Sequence, residues 1–66
     1  MKKVAFIGYG AMAKTVHELL PESITLGWVV VTEAGVEATQ QELGPDVQVV
    51  SSIAAMTGTP DLVLEM

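Results

Sequence analysis

Val4-Ala5-Phe6-Ile7-Gly8-Tyr9-Gly10-Ala11-Met12-Ala13 runs a short apolar stretch straight into a glycine-spaced turn. A strand that ends in G-x-G-x-x-G/A and passes into a helix leaves backbone N–H groups unpaired at the helix start. There, together with the helix dipole, they hold a pyrophosphate. In this pattern Gly8 permits the tight bend and Gly10 lets the main chain approach the phosphates. Ala13 takes the third small position, where helix and strand pack closely. The amides of Ala11 and Met12 are expected to point at the phosphates. Small residues at such a junction also serve packing alone. The context favours the phosphate reading, with a strand before, a helix after and a valine-rich strand at the right interval.

Outward from the turn, Val4 to Ile7 is a continuous apolar run, as expected of a strand buried on both faces of a parallel sheet. From Ala11 to Leu20, the residues Met12, Val16, Leu19 and Leu20 share one helical face until Pro21 stops the pattern. Leu26 to Thr32, centred on Trp28-Val29-Val30-Val31, is β-branched and predicts a second buried strand. Val36 to Leu43 predicts a helix with a thin apolar face, stopped by Gly44-Pro45. Val47 to Val50 is a short third strand, and Ser51 or Ser52 is placed to cap a brief helical turn through Met56. Gly58 and Pro60 mark a loop, and Leu62-Val63-Leu64 opens a fourth strand.

Strands alternating with helices at short intervals imply parallel pairing with right-handed crossovers. The expected fold class is therefore α/β, the first half of a Rossmann-type doubly wound parallel sheet in the order β-α-β-α-β-β. In that topology the fourth strand lies beside the first, and here it forms an apolar edge that the rest of the sequence does not cover. The expectation is a fragment of a larger domain, with residues 1–66 a partial NAD(P)-binding unit and the substrate and catalytic domain absent from this chain.

Half of the 66 residues are hydrophobic and 17% are charged, too few charges to coat a small globule. The missing cover is expected from downstream chain or another subunit, with a homo-oligomer as the assembly. Lys2, Lys3 and Lys14 are the only strong cations, and the formal net charge is -5. That balance argues against nucleic acid as a partner. The absence of cysteine removes disulfides, thiolate nucleophiles and Cys-based metal sites. The two lysines precede only a short apolar run, so neither a signal peptide nor a membrane span is expected. The chain is expected to be soluble and cytoplasmic.

Glu33 stands about twenty residues beyond Ala13, at the expected end of the second strand, where an acidic side chain accepts hydrogen bonds from the adenosine ribose hydroxyls. Thr32 is the neighbouring candidate, and a solvated glutamate leading the next helix is the plain alternative. A carboxylate there repels a 2′-phosphate, and no arginine is present to hold one, so NAD is favoured with NADP as second candidate. His17, the only histidine, reads as a partly exposed helix residue without a partner to tune it. Asp46, Asp61 and Glu65 flank strands as solubilising charges, and Met12, Met56 and Met66 as packing residues. Trp28 is expected to anchor the second strand against a helix. No catalytic and no metal-ligating residue is assigned.

The stretch Val4 to Ala13, the helix ending Glu18-Leu19-Leu20, Val49-Val50-Ser51-Ser52 and Thr59-Pro60-Asp61-Leu62-Val63-Leu64-Glu65 together resemble the amino-terminal part of the L-aspartate dehydrogenase family. The last stretch discriminates most, since in that family a similar strand leads into Cys-Ala-Gly-His, where this chain has Met66. A second departure is Ala13 in place of the third glycine. The resemblance implies a Rossmann domain, a further domain carrying a catalytic histidine, and oxidative deamination of L-aspartate with NAD or NADP. It carries cofactor contacts to Gly8, Gly10, Ala11, Met12 and Glu33, and carries no catalytic residue. Two other readings stand beside it. Pyrroline-5-carboxylate reductases begin with a similar Phe-Ile-Gly-x-Gly-x-Met-Ala turn, though Pro60 to Glu65 favours the dehydrogenase. A nucleotide-binding module without chemistry is the other.

Overall fold

Alternation along the first strand, β1 (Lys2–Ile7), sends Val4 and Phe6 to one face and Ala5 to the other, and all three are buried. In the computed structural model, which describes residues 2–65, β1 is central, and Met66 lies outside the described residues. It pairs in parallel with β2 (Ile24–Val30) and with β4 (Leu62–Glu65), while β2 pairs in parallel with β3 (Gln48–Val50). The sheet order is β3-β2-β1-β4, as the doubly wound reading requires.

Two helices, α1 (Ala11–Leu19) and α2 (Val36–Leu43), connect β1 to β2 and β2 to β3. Ala13, Val16 and Leu20 from the first connection and Val36 and Leu43 from the second pack on one cluster with Val4, Phe6, Leu26, Val29 and Val49. Both helices therefore cover the same face, as right-handed crossovers stepping in one direction must. The return from β3 to β4 steps the other way and crosses the opposite face through a single 3-10 turn, Ile53–Ala55. Ser52 opens that turn but forms no side-chain cap bond, so the expected serine cap is absent. No helix among the described residues is long and apolar enough to cross a membrane.

Trp28 corrects the sequence expectation. Val4 pairs with Leu26 but Ala5 pairs with Trp28, so Gly27 is an extra residue bulged out of the ladder. The slip sends Trp28 to the face away from both helices, because every side chain beyond a one-residue shift changes side. There the indole is 6% exposed, and its Nε1–H donates to the Thr57 carbonyl at 2.8 Å. The Gln48 side chain secures the same loop, donating to Thr57 Oγ1 at 2.7 Å and accepting from Thr57 N–H at 2.8 Å. A Cβ on Gly58, whose φ is 90°, would stand 3.2 Å from the indole, so glycine alone suits this crossing.

Asp61 is a second correction. Its carboxylate accepts from the Lys3 N–H at 2.8 Å, and its own N–H donates to the Lys3 carbonyl at 2.8 Å. This reciprocal clasp sets where β4 enters beside β1 and is structural, beyond a solubilising charge. Element ends also moved. The second strand begins at Ile24 and stops at Val30, the first helix stops at Leu19, and the third strand starts at Gln48.

Candidate functional site

The carboxyl ends of β1 and β2 lie side by side, with Ile7 in register with Val30. Immediately beyond, Gly8 turns with φ 97°, a left-handed value that favours glycine, and its N–H donates to the Val30 carbonyl at 2.7 Å. Gly10 is the N-cap of α1, with extended ψ and no side-chain cap bond. Its carbonyl accepts the first helical bond, from Lys14 N–H, at 3.1 Å. A Cβ built on Gly10 would meet nothing within 4 Å, so the main chain here is open to approach. Ala11 and Met12 are exposed in the first turn, Met12 at 73%, while Ala13 is fully buried where helix and strand touch. No acidic residue occupies that first turn, which leaves the positive helix end uncompensated by the chain itself.

The connection from β1 rises over the helix-bearing face, whereas the one entering β4 crosses the other face. The reversal falls between β1 and β4, and in open α/β sheets ligands bind at such a switch point, outside the strand carboxyl ends. The Gly8–Gly10 turn borders it.

Thr32 and Glu33 sit on the same rim, next to the glycine turn through the β1–β2 pairing. Both are exposed and lie past the end of β2, which stops at Val30 and not at Thr32, so Glu33 leads the next helical turn as in the plain alternative. Val31 N–H donates to the Val50 carbonyl at 2.9 Å and is the last residue tied to β3. Thr32 then caps a single 3-10 turn that Glu33 opens. The turn leaves Glu33 exposed to solvent.

A side-chain group that sequence reasoning missed sits directly behind the turn. The Tyr9 O–H and His17 Nδ1 are 3.0 Å apart, and the phenol donates when the ring proton is on Nε2. The rings meet edge to face at 6.2 Å and 64°. His17 therefore has the partner that the sequence did not reveal. Lys14 Nζ stands 5.9 Å from the centre of the Tyr9 ring and forms an ion pair with Glu42 on α2 at 3.2 Å. Burial, and then the negative charge of Glu42, push the Tyr9 phenol above its ordinary value, opposed by Lys14, with Glu18 adding to the rise. The signal in the sequence was a tyrosine between two glycines with a histidine two helical turns later.

A concavity of about 810 Å³ opens elsewhere, among Gly27, Trp28, Gln40, Pro45 and Thr57. It arises from the Gly27 bulge and the turn after α2, and none of Gly8 to Met12, Thr32 or Glu33 lines it. A phosphate seat at a helix start is a shallow cradle of backbone N–H groups and needs no deep cavity of its own.

No family model matches the chain, and no solved structure matches it. Curated relatives do. An L-aspartate dehydrogenase of Psychrobacter cryohalolentis is 47% identical over 66 residues, covering 100% of this chain and 25% of that protein. The likeness is to L-aspartate dehydrogenases. The one from Acinetobacter baumannii (strain ATCC 17978) is 44% identical over 66 residues, again 100% of this chain and 25% of that protein. That of Serratia proteamaculans is 42% identical over 65 residues, 98% of this chain and 25% of its own length. The chain thus spans about a quarter of the length of the L-aspartate dehydrogenases it matches, which fits an amino-terminal portion.

Proposed function

We propose that this chain forms the adenosine-side portion of the nicotinamide dinucleotide site of an L-aspartate dehydrogenase. Residues 1–66 are then part of a Rossmann-type domain, with the substrate and catalytic domain elsewhere in the intact polypeptide. The whole-length likeness to L-aspartate dehydrogenases carries the reading and favours it over a pyrroline-5-carboxylate reductase-like domain or a module without chemistry.

The residues present fit the cofactor. The open main chain at Gly10 and the uncapped start of α1 suit a pyrophosphate, which the amides of Gly10, Ala11 and Met12 would hold after the bend at Gly8. Thr32 and Glu33, on the neighbouring strand end, would take the ribose hydroxyls. Glu33 together with the lack of arginine favours NAD over NADP. When bound, the dinucleotide would supply the hydride acceptor for oxidation at the substrate Cα. In the net reaction L-aspartate loses a hydride and a proton, its C–N bond becomes C=N, and water converts the imine to oxaloacetate and ammonia. The part this chain plays is to bind and orient the dinucleotide. The intact enzyme is a cytoplasmic homo-oligomer in this reading, and the free edge of β4 is where the rest of the domain's sheet would continue.

The intact protein given L-aspartate should form reduced nicotinamide with an equal amount of ammonia, at higher kcat/KM with NAD than with NADP. Absence of reduced cofactor with both dinucleotides would defeat the assignment, and equal kcat/KM would defeat the NAD preference alone.

A further inference from the structure

We infer that Tyr9 and His17 form an anchor that presets the Gly8–Gly10 turn for phosphate, which makes them positioning residues of the site. The inference rests on the dinucleotide reading above and adds to it how the turn is held.

A turn between two glycines starts with a handicap, because glycine loses more main-chain freedom on ordering than any other residue. Here one end is fixed by the bond from Gly8 N–H to the Val30 carbonyl, while Gly10 has no neighbour within 4 Å of its Cβ position. Tyr9 is the only residue of the turn with a side chain, and it packs inward against the core, leaving the open side of the turn clear. Its hydroxyl meets His17 Nδ1 at 3.0 Å. The imidazole in turn stands edge to face with Phe6, at 6.5 Å and 88°. Phe6 is wholly buried in β1, so three rings in succession connect the turn to the centre of the sheet.

Lys14 adds a second connection, with its ammonium over the Tyr9 ring and its ion pair to Glu42 reaching α2. The turn is therefore braced by β1, α1 and α2 together. A turn ordered before binding spares the ligand the cost of ordering it, and that saving appears as affinity. The phenol has a specific task here, since a phenylalanine would fill the same space and lose the bond to His17. With its ring proton on Nε2, His17 offers Tyr9 an acceptor at Nδ1, a role that a carboxamide oxygen can take over and an aliphatic side chain cannot.

The test uses the intact enzyme with Tyr9→Phe, His17→Leu, the double variant and His17→Gln. Measured for each are NAD affinity, kinetic constants, thermal stability and amide hydrogen exchange in the turn without ligand. Tyr9→Phe and His17→Leu should each weaken NAD binding about 3- to 10-fold, the loss of one hydrogen bond's worth of ordering. The double variant should be no worse than the singles, and His17→Gln should lie within about 2-fold of wild type. The dinucleotide KM should rise more than kcat falls, and turn amides should exchange faster in Tyr9→Phe. Variants that melt earlier yet bind NAD like wild type would show a merely structural contact and overturn the anchor while leaving the site in place. A wild-type enzyme that binds no dinucleotide would overturn the site and the anchor with it. Should His17→Leu fail to fold, Tyr9→Phe, which keeps the ring, decides the matter.

Discussion

Gly8 and Gly10 make opposite demands on two ends of one turn. Gly8 is there for its own conformation: at φ 97° a side chain is strained whatever room surrounds it. Gly10 adopts φ -85°, which any residue tolerates, and its Cβ position is empty space. The fold therefore does not require glycine at position 10, whereas the proposed phosphate contact does. Gly8→Ala should cost about 1–3 kcal/mol of stability. Gly10→Ala should cost under about 1 kcal/mol and yet weaken dinucleotide binding tenfold or more, because the new methyl group stands where the pyrophosphate must approach. Thermal melting and calorimetric titration of both variants in the intact enzyme check the contrast. Equal losses in both properties for Gly10→Ala would remove the case for a phosphate contact.

At the scale of elements, α2 shows how a helix with little apolar surface is held. Gln40 donates from Nε2 to the carbonyls of Gly44 at 2.8 Å and Val47 at 2.7 Å, and its Oε1 accepts from Val49 N–H at 3.1 Å. One carboxamide thus closes the helix end, the following turn and the start of β3. Gln40→Met keeps the length and removes every polar atom, and should cost about 1–3 kcal/mol by urea denaturation. Its exposed neighbour changed in the same way, Gln41→Met, should stay within about 0.5 kcal/mol. The elements themselves were legible in the sequence from apolar periodicity and the Gly-Pro stops, but the face that α1 buries was not: Ala13, Val16 and Leu20 pack on the core, while Met12 and Leu19, read as part of the packed face, are exposed. What escaped was whatever depends on one residue's place in three dimensions. Gln40 looks like any solvated helix residue, and an isolated glycine such as Gly27 signals a bulge in a strand without saying that Trp28 will turn to the other face. In the site, the glycine spacing revealed the turn, while the strand read as far as Thr32 stops at Val30 and leaves Thr32 and Glu33 to the 3-10 turn that follows. Their β-branched lead-in continues past the point where β3 stops offering partners. Tyr9 and His17 were invisible as a pair because their contact exists only once the turn has folded back on α1.

For the molecule as a whole, the sheet has two edges among the described residues, β3 and β4, and β4 is the one that exposes large apolar side chains. Leu62 and Val63 are 48% and 49% exposed, and β4 pairs on one side only among the described residues. A parallel edge strand with free main-chain groups and apolar side chains invites pairing with another chain. The isolated 66 residues should therefore associate as their concentration rises. Val63→Lys should keep them monomeric in sedimentation velocity by placing a charge on the edge. If wild type and variant sediment alike as monomers at every concentration, this strand is not a sticky edge.

The bulge at Gly27 leaves one more mark. It puts the chain's only tryptophan beneath the Thr57–Gly58 crossing, with the indole N–H committed to a carbonyl of that crossing. The protein thus carries an intrinsic fluorophore at the joint where its second layer closes. The colour of that emission, with no label attached, times the moment during refolding when the two faces of the sheet come under cover.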